Sequence, residues 1–307
     1  MSRFLQTQAL PTFFAIILAS ISVAEAADDR ARIRQAVASG KSEDLRILLQ
    51  LPGVRAHIAK SDDNDFLYLA IEQVSRAFNG YNPSPEEVER FRSVDGRQAE
   101  VLKVLLGNGA AASINGANPR PPALIHAVGL RARQCVAALL DAGADPNIMN
   151  NGYRPLPMAA GNGATAPEIV QLLLDRKADP NGADKVSGYP LVAILDHGDW
   201  DYDAYDAARE KIKGRYELLR KNSKATVEML LQAGADPSIG LQVTLLHPKP
   251  AAADAELIPM FLNAGGLKKE RYTREQALAD LLRAKVDRGW PETKFTRIKA
   301  LIDNAAR

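Results

Sequence analysis

The sequence predicts an all-α repeat protein, and three observations carry that reading. A run of nine residues recurs: Leu139-Leu140-Asp141-Ala142-Gly143-Ala144-Asp145-Pro146-Asn147, then Leu173-Leu174-Asp175-Arg176-Lys177-Ala178-Asp179-Pro180-Asn181, then Leu230-Leu231-Gln232-Ala233-Gly234-Ala235-Asp236-Pro237-Ser238. A weaker copy is Leu105-Leu106-Gly107-Asn108-Gly109-Ala110-Ala111. The spacing repeats, with 34 positions from Ala110 to Ala144 and again from Ala144 to Ala178. A second signal lies upstream of each run, as Pro122-Ala123-Leu124, Pro155-Leu156 and Pro190-Leu191, with Thr244-Leu245-Leu246-His247 later. Self-similarity at such a period marks stacked supersecondary units, none of which buries its apolar face alone.

Each part of the unit has a local cause. Leu-Leu closes an amphipathic helix whose apolar stripe must be covered. The glycine after it takes positive φ and stops the helix. Asp-Pro-Asn makes a turn, because proline fixes φ and the Asp and Asn side chains can bond nearby backbone. Proline before leucine suits the first turn of the next helix, where its missing N–H is no loss. The unit is therefore a turn, a short helix, a second turn and a longer helix.

Composition bounds the rest. The chain has 307 residues, 46% hydrophobic and 25% charged, which excludes wholesale disorder. Lys+Arg 39 against Asp+Glu 37 leaves only +2, so a strongly basic nucleic-acid binder is not expected. A single cysteine, Cys135, excludes an internal disulfide framework and a Cys-based structural zinc site. It lies on an apolar helical face, where core packing is the expectation.

In chain order, residues 1–26 are expected to be a signal peptide: Arg3, an apolar run from Phe13 to Val23, and an Ala24-Glu25-Ala26 cleavage site. The apolar run is too short to span a bilayer. The array is then expected over 27–268 in about six units. The first, 28–60, has helices at Ala31–Ala38 and Glu43–Gln50. The second, 61–117, has Phe66–Ala77 and Gln98–Leu106. The third and fourth are 118–150 and 151–183. The fifth, 184–240, has Pro190–Leu195 and Ala225–Gln232, and the sixth is 241–268. Residues 269–307 read as a helical C-terminal cap. Thr273-Arg274-Glu275-Gln276 starts one helix, with Leu278, Leu281, Leu282 and Val286 on its stripe, and Lys294–Ala305 forms another after Gly289-Trp290-Pro291.

These motifs resemble the ankyrin repeat, whose unit is about 33 residues with a T-P-L-H-x-A helix start. The G-A-D-P-N run after L-L carries the likeness, over most of residues 28–268. The chain departs from the pattern where Pro122, Arg154 and Tyr189 replace Thr, and Ile125, Pro157 and Val192 replace His. The resemblance implies a protein-binding scaffold that uses its turn tips and shorter inner helices. Carried onto this chain, the tips are 115–120, 149–154, 183–189 and 240–243. Arg120, Met149, Tyr153, Arg154, Lys185 and Tyr189 are the residues there able to give contact area or charge, and Tyr and Arg often dominate binding energy.

Two units are too long. Leu67 to Leu124 is 57 positions and Leu191 to Leu246 is 55. The excess falls between the two helices of a unit, around 79–97 and 197–221. The second insertion opens with Asp196-His197-Gly198-Asp199-Trp200-Asp201-Tyr202-Asp203-Ala204-Tyr205-Asp206 and continues into a basic helix. Trp200, Tyr202 and Tyr205 are candidate anchors, and Tyr81 is the only aromatic of the first insertion. The alternate aspartates lack the glycine and distal glutamate of an EF-hand loop.

Enzyme motifs do not survive their context. Gly40-Lys41-Ser42 lacks the first glycine of a phosphate loop, since position 35 is glutamine. Gly161-Asn162-Gly163 follows a helix rather than a strand, so it is no dinucleotide fingerprint. The four histidines, His57, His126, His197 and His247, have no metal-ligand spacing. No catalytic residue, cofactor or metal is expected. The expected function is a non-enzymatic protein–protein interaction scaffold in the periplasm, acting as an inhibitor or self-protection protein for a hydrolase or toxin. A secreted effector that binds host proteins and an envelope stress-support factor are the alternatives. The partner is another protein, with no nucleic acid, no membrane insertion after signal cleavage, and a monomeric chain.

Overall fold

A computed structural model describes residues 28–51, 53–59, 65–77, 85–116, 120–163, 166–197, 213–246, 254–267 and 271–306. The expected signal peptide, and Tyr81, Trp200, Tyr202 and Tyr205 of the insertions, lie outside these residues. The fold is all-helical. In order the helices are α1 (28–39), α2 (Ser42–Leu48), α3 (Val54–Ala59), α4 (Asp65–Arg76), α5 (Pro85–Gly107), a 3₁₀ turn (Ala110–Ser113), α6 (Ala123–Gly129), α7 (Arg133–Asp141), α8 (Pro155–Gly161), α9 (Pro167–Asp175), α10 (Pro190–His197), α11 (Lys213–Gln232), α12 (Pro237–Leu246), α13 (Asp254–Asn263), α14 (Arg274–Arg288) and α15 (Glu292–Ala305). Extended pairing among the described residues is limited to a bridge between Asn150 and Tyr153. The chain divides into two compact units. Residues up to His126 with Ala137–Ala144 form the first, and Ala127–Val136 with Asp145–Arg307 form the second.

In the first unit, α4 places Phe66, Leu67, Ala70, Ile71 and Val74 on one buried stripe and packs on α5, whose Val101, Leu102 and Leu105 are buried. Each large side chain so buried contributes about 1.5–3 kcal/mol. α5 also packs on α2. Gln98, itself buried, donates Nε2 to the Val37 carbonyl at 3.3 Å and so ties α5 to the end of α1. Two features exceed the sequence reading. α3 is an unforeseen short helix that buries Val54 and Ile58 one turn apart. The first insertion is helical from Pro85, as its sequence suggests, but that helix runs unbroken into the one expected at Gln98–Leu106 to give the 23 residues of α5, with Glu86 and Glu87 in its first turn.

In the second unit the short helices α8, α10 and α12 pack in series, and α9 packs against α8 and α11. The helix stops repeat one geometry. The N–H of Ala178 donates to Leu173 O at 3.0 Å, that of Ala235 to Leu230 O at 2.9 Å, and that of Gly266 to Phe261 O at 2.8 Å. The same bond forms in the first unit, from Ala144 to Leu139 at 3.0 Å. This is the six-to-one bond of a Schellman stop, which needs a left-handed residue just before its donor. Gly143 (φ 91°), Gly234 (φ 95°) and Gly265 (φ 85°) supply it, and Lys177 (φ 69°) occupies the same place without glycine's freedom.

The Asp-Pro-Asn turn splits its work between its two polar side chains. The aspartate acts locally, as expected: Asp145 Oδ1 accepts from Asn147 N at 2.8 Å and Asp179 Oδ1 from Asn181 N at 2.9 Å. The asparagine reaches the next repeat instead. Asn147 donates Nδ2 to Lys177 O (3.0 Å) and accepts from Asp179 N (2.7 Å). Asn181 repeats this with Gly234 O (2.9 Å) and Asp236 N (2.7 Å). The series ends where Ser238 stands in the asparagine's place, and Asp236 pairs with Arg271.

Two expectations are corrected. Residues 240–243 are not a tip. Pro237 takes the first-turn position immediately after the Asp236 turn, so α12 starts without a finger. Gly240 and Leu241 are buried, and Thr244, expected near a helix start, donates to Gly240 O within the helix. Gly240 is where Phe261 of α13 approaches, and a Cβ there would lie 2.3 Å from its ring. The stripe expected on α14 is also shifted. Thr273 forms its capping box with Gln276, but the buried row is Ala277, Leu281 and Ala284, while Leu282 and Val286 are exposed.

Candidate protein-binding surface

The second unit carries two adjoining fingers. In the first, Asn150 and Tyr153 exchange backbone bonds of 3.1 and 2.9 Å around Asn151 (φ 50°) and Gly152 (φ 87°). Two successive left-handed residues make a tight hairpin turn, and Asn-Gly is the pair that adopts it at least cost. The second finger is organised by Asp184. Its N–H donates to Gly188 O at 2.9 Å. Its buried carboxylate accepts from the N–H groups of Val186, Ser187 and Arg154, the last on the first finger. Lys185 N–H donates to Gly152 O at 2.8 Å. The two fingers are thus joined by one backbone–backbone bond and by the Asp184 carboxylate, and the Val186 and Lys185 side chains lie over Gly152.

This framework sends apolar side chains outward. Met149 is 42% exposed, Tyr153 37%, Val186 57% and Tyr189 40%, and Lys185 is exposed beside them. Val186 was not among the expected contact residues. Its signal was positional, since an aspartate two residues earlier caps the turn and turns position 186 away from the backbone. Arg154 behaves differently from expectation. Its guanidinium folds back to donate to Asn147 O at 2.7 Å, and its Nε is buried without a hydrogen-bond partner. No acidic residue lies between Pro146 and Pro167, and only Asp184 lies between Pro180 and Leu195. With Asp184 buried, the exposed face of the fingers is apolar and basic.

The first unit places Arg120 in a separate cluster. Arg120 Nε donates to Asp65 at 3.0 Å, and Asp65 also accepts from Arg34 at 2.6 Å. The Arg120 guanidinium lies over the Tyr68 ring at 4.4 Å, and Tyr68 stacks on His126 at 4.2 Å and 19°. Burial holds the His126 pKa below its ordinary value, and Arg120 acts in the same direction while Glu72 opposes both. His126 Nε2 is buried without a hydrogen-bond partner. Asp65 thus ties both Arg34 of α1 and Arg120 to α4, and Arg120 keeps part of its side chain in solvent.

Among the described residues no group of three or more His, Cys, Asp or Glu could hold a metal ion. No helix among them is long and apolar enough to cross a membrane. Cys135 is buried. No curated protein matches the chain. Residues 92–184, which contain the first finger and the Asp184 turn, match the family Ankyrin repeats (3 copies). Residues 92–184 therefore carry ankyrin repeats within an all-helical fold, and such repeats form a protein–protein interaction domain.

Proposed function

We propose that the chain is a non-enzymatic, exported scaffold that binds a hydrolase or toxin in the periplasm and masks it. The observation that carries the binding half is the pair of bonded fingers with Met149, Tyr153, Val186 and Tyr189 held outward. Rigid backbone under exposed aromatic and aliphatic side chains limits the ordering entropy lost on binding. Export rests on the Arg3, Phe13–Val23 and Ala24-Glu25-Ala26 pattern. Masking rests on analogy between exported repeat proteins and protective binders, which fold alone does not determine.

The test is capture from periplasmic extract by the tagged chain 27–307, followed by mass spectrometry and an activity assay on the captured protein. One dominant hydrolase or toxin, inhibited on adding the chain, is the expected result. Capture of a protein whose activity the chain leaves unchanged would refute masking. Recovery of the chain only from the cytoplasm with residues 1–26 intact would refute export.

A further inference from the structure

The finger surface carries a charge pattern as well as an apolar one, and the two together select a partner chemistry. Asp184 is the only acidic residue of the two fingers, and three backbone N–H groups and burial take it out of play. Arg154 is turned inward on Asn147 O. Lys185 remains, exposed, with its backbone fixed by the bond to Gly152 O and its stem lying over Gly152 beside Val186. Lys185, Val186 and Tyr189 are thus exposed on one finger and Tyr153 on the finger bonded to it, and the fingers supply no other carboxylate to neutralise the Lys185 ammonium. Charge complementarity across such a face steers encounter and rejects like-charged partners.

We propose that the fingers take an acidic segment of a partner protein, one whose carboxylate meets Lys185 while a neighbouring aliphatic or aromatic side chain covers Val186, Tyr153 and Tyr189. This rests on the proposed role of the fingers as the binding surface and goes further in naming what they accept. An apolar anchor supplies most of the affinity and the rim charge supplies rate and selectivity. A basic segment would meet Lys185 with like charge and no compensating group.

A phage-displayed library of random peptides, selected on the full chain and sequenced, tests this. Three variants are selected in parallel: Lys185→Glu, the double variant Tyr153→Ala/Tyr189→Ala, and Val186→Asp. All four residues are exposed, so circular dichroism spectra and melting points should match the parent. The expected result is enrichment of peptides pairing Asp or Glu with a large apolar residue. That enrichment should turn from acidic to basic in Lys185→Glu and vanish in the double variant and in Val186→Asp. A synthetic copy of the most enriched peptide should bind Lys185→Glu about tenfold more weakly than the parent at low salt, and the difference should shrink as salt rises. Peptides that need Tyr153 and Tyr189 but show no acidic excess, or one indifferent to Lys185→Glu, would overturn the inference and leave the fingers as a binding surface. Peptides indifferent to the tyrosines, or no enrichment at all, would overturn both. A dimer of the chain alone, dissolved by Val186→Asp, would show that a second copy occupies the face and would also overturn the inference.

Discussion

Asn181→Ala is the most direct probe of how neighbouring repeats are joined. The side chain makes two backbone hydrogen bonds to the next repeat, donating Nδ2 to Gly234 O at 2.9 Å and accepting from Asp236 N at 2.7 Å. A neutral intramolecular bond contributes about 1 kcal/mol net, so the pair sets a ceiling of about 2 kcal/mol. Asn181 and Gly234 are exposed, so water reaches the carbonyl it leaves, whereas Asp236 is buried and its N–H loses its partner. The expected loss is therefore about 1–1.5 kcal/mol. Because repeat arrays behave as chains of nearest-neighbour couplings, weakening one junction should also lower the denaturant slope. Urea titration followed by circular dichroism measures both. Asn181→Asp separates the halves: it keeps the acceptor for Asp236 N but sets a carboxylate oxygen against the Gly234 carbonyl, and should cost at least as much as one bond. A loss below about 0.3 kcal/mol in Asn181→Ala, or parental stability in Asn181→Asp, would refute this account of the repeat junction.

Other perturbations have equally definite outcomes. Lys177→Gly should stabilise by about 0.5–1 kcal/mol in thermal unfolding, because Lys177 holds a left-handed conformation (φ 69°) that glycine adopts freely. Gly143→Val should cost about 1 kcal/mol or more, since φ is 91° there although nothing stands within 4 Å of an added Cβ. Gly240→Ala should cost about 1–3 kcal/mol, because the Phe261 ring lies 2.3 Å from the new methyl group. Stability should fall as pH drops below the ordinary histidine range. The unfolded chain takes up a proton at His126 there, whereas the folded chain resists it because burial lowers that pKa. Melting points measured from neutral to mildly acidic pH should fall less in His126→Phe, and parallel curves would refute the assignment.

Much of the fold was legible because repetition states itself. Leu-Leu, the left-handed helix stop and the Asp-Pro turn recur, at 34 positions where no insertion intervenes, and each forms the local structure its chemistry favours. The reach of Asn147 and Asn181 into the next repeat was hidden, because a turn asparagine has a sufficient local role and only the packed neighbour offers another. Unit six misled for a related reason. Ala235-Asp236-Pro237 matches the other turns, and the missing finger shows only in Ser238-Ile239-Gly240, which offers no hairpin pair. On α14, leucine and valine outweigh alanine in any apolar pattern, so the stripe drawn through Leu278, Leu281, Leu282 and Val286 caught the buried Leu281 but missed Ala277 and Ala284 beside it. At the fingers, Met149, Tyr153, Lys185 and Tyr189 are exposed where the turns place them. The arginines were harder to read. Arg120 finds Asp65, 55 positions away, and Arg154 finds the Asn147 carbonyl.

The central claim is that the paired fingers are where this chain holds its partner. The measurement that tests it is a paired capture from the same periplasmic extract, with the parent chain on one resin and Tyr153→Ala/Val186→Asp/Tyr189→Ala on the other, quantified by mass spectrometry. The protein most enriched by the parent should be lost from the variant while both chains keep the same melting point. Equal recovery of that protein on both resins would place its binding elsewhere on the chain and contradict the claim.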